Sequence, residues 1–312
     1  MTDMPIGAQA PSLPQHRALG VLAALGVVVI WSLWIVGTRH AATGHLDLCA
    51  VGFLRFAIPA LVFAPFWLRT GLLPRDMPLH TLVGLMGCGA PFFLVAATAA
   101  RYTPAAEIGP LLTGTMPLMA TALAYMVLRE RMSRLRCIGA MKIAVGIAVI
   151  GLSGLSNGFN NSIAQAGLLL AAAMWSVYTI AFKQSMLSPV SATAVVSIWS
   201  AIAFAPFGLP PLIAALGSGL SPSILMQAAL QGILSGVVAV NLYAIAIQRL
   251  GVARGSAFIA LVPAGAALLA IPMLGEYPTA TDVLGMAITA MGVLFMNVSR
   301  AFDRSAFTAG AR

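Results

Sequence analysis

"VPAGAALLAIPMLGEYPTATDVLGMAITAMGVLFMN", residues 262–297, carries a proline inside an apolar run, a glutamate where the run stops, and a second apolar run spaced by glycines. Residues 116–151, "MPLMATALAYMVLRERMSRLRCIGAMKIAVGIAVIG", carry the same landmarks in the same order. Sliding one stretch by 146 positions lays Pro117 on Pro263 and Glu130 on Glu276 without a gap. At that offset Gly109 meets Gly255, Leu123 and Ala124 meet Leu269 and Ala270, Gly139 meets Gly285, Ala144 meets Ala290, and Gly146 meets Gly292. A match sustained at one offset is the mark of an internal duplication.

The duplication extends towards the start of each half. "WSLWIVGTR" at 31–39 parallels "WSVYTIAFK" at 175–183, aligning Trp31 with Trp175, Trp34 with Tyr178 and Arg39 with Lys183, and "VFAPF" at 62–66 parallels "AFAPF" at 203–207. The chain is 60% hydrophobic and 8% charged with mean hydropathy +0.96, against roughly a quarter charged in soluble domains. Apolar stretches of the ~20 residues that cross a bilayer as helix fall near 18–38, 47–68, 79–100, 105–128, 136–154, 165–185, 190–209, 224–248, 254–275 and 280–299. They do not alternate apolar with polar residues as barrel strands would. The expected fold is therefore an all-α membrane protein of ten transmembrane helices: a tail at 1–17, five helices within 18–154, five within 165–299, and a tail at 300–312. The leader before the first run shows no convincing cleavage signature, so that run is expected to remain as a helix.

A net charge of +9 would suggest nucleic acid in a soluble protein, but in a helical membrane chain basic residues gather in cytoplasmic loops. With the amino terminus inside, Arg17, Arg69, Arg75, Arg129, Arg131, Arg134, Arg136, Lys183, Arg249, Arg254, Arg300, Arg304 and Arg312 all fall on the cytoplasmic side, and only Arg39 and Arg101 fall outside. Both termini are then cytoplasmic, and no nucleic-acid partner is needed. Because five is odd, the second half enters the bilayer from the opposite side, the inverted-repeat plan of many secondary transporters. Cys49, Cys88 and Cys137 have neither a paired framework nor metal spacing, and no cofactor or metal is expected.

Ten helices in two halves, each with Pro-x12-Glu before a glycine-spaced helix, resemble the EamA-type transporters of the drug/metabolite transporter superfamily, and "LRF" at 54–56 resembles that family's second-helix motif. The resemblance spans about residues 18–299. It implies a proton-coupled or facilitative carrier of small metabolites, often an exporter of amino acids or related compounds, in the plasma membrane (here a bacterial inner membrane). It also implies a central cavity lined by helices one, three, four, six, eight and nine. Glu107 and Lys142 depart from the neutral residues expected at their places.

Candidate site residues follow from what is costly in a bilayer. Pro117 and Pro263, near the middle of helices four and nine, would leave the carbonyls of Thr113 and Ile259 without their usual partners; each kink is either a hinge or solute contact, or a break packed by neighbours. Arg55 in helix two and Glu107 early in helix four are expected within reach of each other. Glu107 is the candidate for proton coupling, the alternative being a helix-start charge favoured by the dipole. Lys142 is expected to snorkel to the cytoplasmic rim. Trp31, Trp34, Trp175 and Tyr178 either wall a cavity for an apolar or cationic solute or simply pack. Gln227, Gln231, Asn241 and Tyr243 form the densest polar face of the second half, as glue or as solute ligands. Gly232 and Gly236, and Gly139, Gly146, Gly285 and Gly292, are expected to let helices approach closely, and helices five and ten are also a candidate homodimer surface.

Two rival readings belong to other classes. "GLSNG" at 154–158 fits the pattern of a nucleophilic serine, but that motif needs a strand-to-helix elbow. His16, His40, His45 and His80 sit in tails or at rims. A channel would need a charged ring or a filter loop, neither of which appears.

Overall fold

The structure is a computed structural model that describes residues 14–74, 77–128, 133–156, 158–217 and 219–309, with the backbone alone at 14–16, 124, 127–128, 153–156, 252–253, 256 and 298–309. Among these residues every regular element is helical. The first half comprises α1 (Pro14–Thr43), α2 (Leu48–Val62), α3 (Ala64–Thr70), α4 (Leu79–Leu85), a 3₁₀ turn at Met86–Cys88, α5 (Ala90–Ala100), α6 (Ala105–Gly109), a π-helical stretch at Pro110–Gly114, α7 (Met116–Leu128) and α8 (Arg134–Ser156). The second comprises α9 (Phe159–Ser185), α10 (Pro189–Gly217), α11 (Pro222–Gln227), a π-helical stretch at Ala228–Val238, α12 (Ala239–Leu250), α13 (Val252–Ala257), a 3₁₀ turn at Phe258–Leu261, α14 (Val262–Leu274) and α15 (Ala280–Ala309).

Many large apolar side chains point outwards, and alanines fill much of the interior beside a few buried rings such as Phe92 and Phe93. Leu61 and Leu268 are 75% and 68% exposed, whereas Ala97, Ala171, Ala172 and Ala266 are buried. In water this arrangement would cost the hydrophobic effect; in lipid, tails solvate the large chains and small residues let backbones pack.

Ten continuous spans are not what forms. Seven helices are long and apolar enough to cross a membrane, or eight if α2 and α3, bent by 74°, count as one. The apolar run at 254–275 contains a helix too short for that test, Phe258–Leu274, and the run at 105–128 is divided at Thr115. Proline is the cause, because it lacks the N–H that would carry the ladder onward. Pro65 opens α3, and Pro263 lies in the first turn of α14. Pro117 likewise occupies the second position of α7. The expected mid-helix kinks are thus helix starts, where a missing donor costs little.

A duplicated serine reaches each break. The Ser32 hydroxyl donates to the carbonyl of Val262 at 3.1 Å, whereas the Ser176 hydroxyl donates to the carbonyl of Ala172 in its own helix at 2.9 Å and reaches that of Met116 at 3.3 Å. Each serine follows a tryptophan in the duplicated "WS", and each accepting carbonyl immediately precedes the duplicated proline. The carbonyls that precede the two prolines are thus each approached by a hydroxyl of the other half. Locally, Val262 N–H closes a 3₁₀ bond on the carbonyl of Ile259, so that group is not left open as expected. In the other half the hydroxyls of Thr113 and Thr115 take up the carbonyls of Gly109 and of Leu111 and Leu112.

Packing respects the duplication. α8 lies along α15, α2 along α10, and α6 against α14, while α1 packs on α12 and α14 much as α9 packs on α4, α5 and α7. Glycine makes these approaches possible. A Cβ on Gly139 would lie 2.8 Å from the carbonyl oxygen of Gly292, and one on Gly146 would lie 2.2 Å from Thr289 Oγ1. Gly232 and Gly236 abut Ile58 and Pro59 of α2. The glycine faces of α8 and α15 thus meet each other within one chain.

Candidate functional site

Four groups of polar or aromatic side chains converge inside the bundle or at one end of it. The first is a seam where α1, α2 and the π-helical stretch of the second half meet. Gln231, fully buried, donates from Nε2 to Thr38 Oγ1 at 3.1 Å, and Gln227 donates to the carbonyl of Gly37 at 3.0 Å. Arg55 reaches this seam: its Nη1 donates to Ser235 Oγ at 3.0 Å and towards Gln231 Oε1 at 3.5 Å. Its guanidinium lies over the rings of Trp34 and Phe56, 5.2 and 5.5 Å from their centroids, the stacking that a planar and weakly hydrated cation favours.

An aromatic ladder continues from there. Trp34 stacks on Phe92 at 6.2 Å, Phe92 meets Trp175 at 5.4 Å, Trp175 meets Tyr178 at 5.4 Å, and Tyr178 stacks on Phe182 at 6.0 Å. The duplicated positions Trp34 and Tyr178 therefore lie on one ladder, bridged by Phe92 and Trp175. Trp31 pairs with Tyr243 at 5.7 Å.

The third group centres on Glu107, which is 1% exposed in the short α6. Its Oε2 accepts from Gln165 Nε2 at 2.7 Å. The expected reach between Arg55 and Glu107 is not what forms, since α6 turns Glu107 towards α9 while α2 turns Arg55 towards the glutamine seam. Asn241 also departs from expectation: it is exposed and donates to the carbonyl of Val237 in its own helix. Thr113 is buried with its hydroxyl on Gly109, and Ile259 packs at the edge of the main core. Lys142 sits over the ring of Phe295 at 5.4 Å.

The fourth group closes one end of the bundle. Arg39 Nε donates to Glu276 Oε1 at 2.7 Å, and Arg39 Nη1 donates to the carbonyls of Ala100 and Arg101, each at 2.8 Å. The other oxygen of Glu276 accepts from the N–H of Ala105 at 2.8 Å, and Arg101 Nε donates to the carbonyl of Ala42 at 3.1 Å. This latch ties the end of α1, the 100–105 connection and the end of α14. It went unrecognised in the sequence, although opposite charges at 39 and 276 on one rim were the available signal. Of the repeat counterparts, Lys183 is exposed and forms no ion pair with another described residue. Glu130 lies outside the described residues, as do Arg75, Arg129, Arg131, Asn157 and the tail at 1–13.

A crevice of about 240 Å³, lined by Leu73, Pro74, Met77, Leu79 and Leu82, involves none of these groups. Residues 154–156 of the "GLSNG" stretch lie in the last turn of α8 rather than after a strand, and Asn157 lies outside the described residues.

The sequence matches the EamA-like transporter family over residues 18–152 and again over 162–298. A protein of Streptantibioticus cattleyicolor named as a probable terminal-alkyne amino-acid exporter is 28% identical over 286 residues, which cover 89% of this chain and 93% of that protein. An uncharacterized transporter of Archaeoglobus fulgidus is 23% identical over 270 residues, covering 85% and 94%. A solved crystal structure, 20% identical, aligns over 90% of this chain and 98% of its own with a TM-score of 0.54, which places the fold alone. Two matched repeats, apolar helices with lipid-facing leucines, and transporter relatives along nearly their whole length converge: the chain belongs to the EamA-like transporter family and is a multi-pass membrane transporter.

Proposed function

We propose that the chain is a secondary transporter that exports an amino acid or related small metabolite across a bacterial inner membrane by alternating access. On this reading it crosses the membrane ten times, with segments two, four and nine as broken spans, and its two halves are oppositely inserted with both termini in the cytoplasm. One observation carries the reading. The Arg39–Glu276 latch joins residues that the duplication aligns with Lys183 and Glu130, which opposite insertion of the halves would carry to the other face of the membrane. A carrier needs two gates that close in turn. Here one latch is formed, while Lys183 is exposed to solvent, as expected of a carrier whose outer mouth is shut. Exchange of one latch for the other would turn the seam and the ladder from one side to the other.

Glu107 is the coupling group in this reading. The bond from the Gln165 amide, 2.7 Å away, comes from a neutral donor, so a proton can enter or leave this buried carboxyl without breaking an ion pair at that bond. The amino-acid assignment is supported by what the Streptantibioticus relative is named to export. The experiment compares metabolites in the medium of cells with and without the protein, then tests the responding solute by counterflow in proteoliposomes. Acceleration of labelled uptake by unlabelled solute on the opposite side is expected. Uptake indifferent to the opposite side would replace the carrier with a channel.

A further inference from the structure

Arg55 is the half-buried charge within the bundle that the fold leaves least explained. A guanidinium inside a helical bundle persists where it is paired or where it works. Among the described residues it forms no ion pair, and the carboxylates there are engaged elsewhere. Glu276 holds Arg39, Glu107 accepts from Gln165, Asp47 caps α2 through the N–H groups of Cys49 and Ala50, and Asp282 accepts from the N–H of Thr279.

How the guanidinium is held shows which side of it is available. Both of its hydrogen bonds leave from Nη1, to Ser235 and Gln231, while its faces rest on Trp34 and Phe56. Nε is buried without a partner. The edge formed by Nε and Nη2, which matches the two oxygens of a carboxylate, is thus not used by either bond. On the ring that the guanidinium covers, a second buried donor is also unpartnered, the indole Nε1 of Trp34. Two orphan donors on touching side chains call for one acceptor with several lone pairs, and an anion supplies it.

We propose that Arg55 and Trp34 form the anion subsite of the transport pathway, where the fork of Arg55 grips the carboxylate of the solute and the Trp34 indole adds a donor. Ser235 and Gln231 are positioning residues that hold the far side of the guanidinium. The ladder of Phe92, Trp175 and Tyr178, which begins on Trp34, provides an apolar bed for the rest of the molecule. The inference rests on the carrier reading and narrows it. Of the apolar and cationic solutes that aromatic walls alone would accept, the fixed positive charge rejects a simple amine and selects an acid.

The test uses the full chain purified into lipid nanodiscs and three probes of one shape: 3-phenylpropanoate, 3-phenylpropan-1-ol and 3-phenylpropan-1-amine. Titration calorimetry should show the acid binding at least about tenfold more tightly than the alcohol, and the amine not binding. Arg55→Gln should abolish the acid's advantage. Arg55→Lys, which keeps a point charge without the fork, should weaken the acid severalfold and leave the alcohol unchanged. Trp34→Phe keeps the ring and removes only the donor, so the acid should again lose more than the alcohol; this variant and Arg55→Lys decide the matter should Arg55→Gln fail to fold. Equal affinity for acid and amine, undiminished acid binding in these variants, or no binding of the acid to the unmodified protein would each overturn the subsite. Loss of counterflow for every solute would instead strike the carrier reading, whereas counterflow without acid preference strikes this inference alone.

Discussion

Neutralising the latch with Glu276→Gln should unlock one end of the bundle, and the structure sets the size of the effect. Fully exposed ion pairs contribute about 0–1 kcal/mol, whereas breaking a buried one costs about 3–5 kcal/mol. The side chains of Arg39 and Glu276 are 16% and 24% exposed and meet at 2.7 Å, so an intermediate figure of about 2 kcal/mol applies. Glutamine can still accept from the N–H of Ala105, which isolates the ionic contribution. That energy is a change of about 30-fold in the equilibrium between closed and open ends. Thr103 is a suitable reporter because it is fully buried within the connection that the latch clasps. Thr103→Cys, in a chain whose Cys49, Cys88 and Cys137 are replaced by alanine, would be labelled with a membrane-impermeant maleimide. Glu276→Gln should raise the labelling rate 10- to 30-fold, and Arg39→Gln should do the same. The two together should give less than the product of their separate effects, because both remove one bond. A rate in Glu276→Gln within twofold of the parent would refute the latch.

Other expectations are shorter to state. Glu107→Gln should abolish the pH dependence of transport while solute exchange persists, because glutamine can keep the bond to Gln165; unchanged pH dependence in proteoliposomes would retire Glu107 as the coupling group. Gly146→Ala forces a Cβ to within 2.2 Å of Thr289 Oγ1 and should cost about 2 kcal/mol, read as a lower Tm in detergent. Gly151→Ala, with nothing within 4 Å of the new carbon, should stay within about 1 kcal/mol of neutral. Ser32→Ala removes a bond between segments, whereas the Ser176 hydroxyl bonds at shorter range within its own helix; Ser32→Ala should lower Tm by the equivalent of about 0.6–1.7 kcal/mol and Ser176→Ala by less. Reporter fusions at the two termini should both signal the cytoplasm, and opposite sides would end the inverted arrangement.

What could be read without coordinates is what local composition and duplication decide. Apolar length selects helices because no other open structure satisfies its backbone in lipid, and the offset that joins Pro117 to Pro263 and Gly146 to Gly292 announced two copies, their breaks and their close-packed helices. Which side chains meet was decided by the tertiary structure. As opposite charges in apolar runs, Arg55 and Glu107 are the partners the sequence suggests, yet α2 and α6 turn them to different seams, Ser235 and Gln231 for one and Gln165 for the other. Arg39 and Glu276 stand 237 positions apart, and nothing local to either names the other. The physical reason is that insertion into a bilayer depends on the summed hydropathy of a segment, a property of the segment alone. Pairing depends on which faces the glycines and prolines bring together, a property that exists only once both halves are folded against each other.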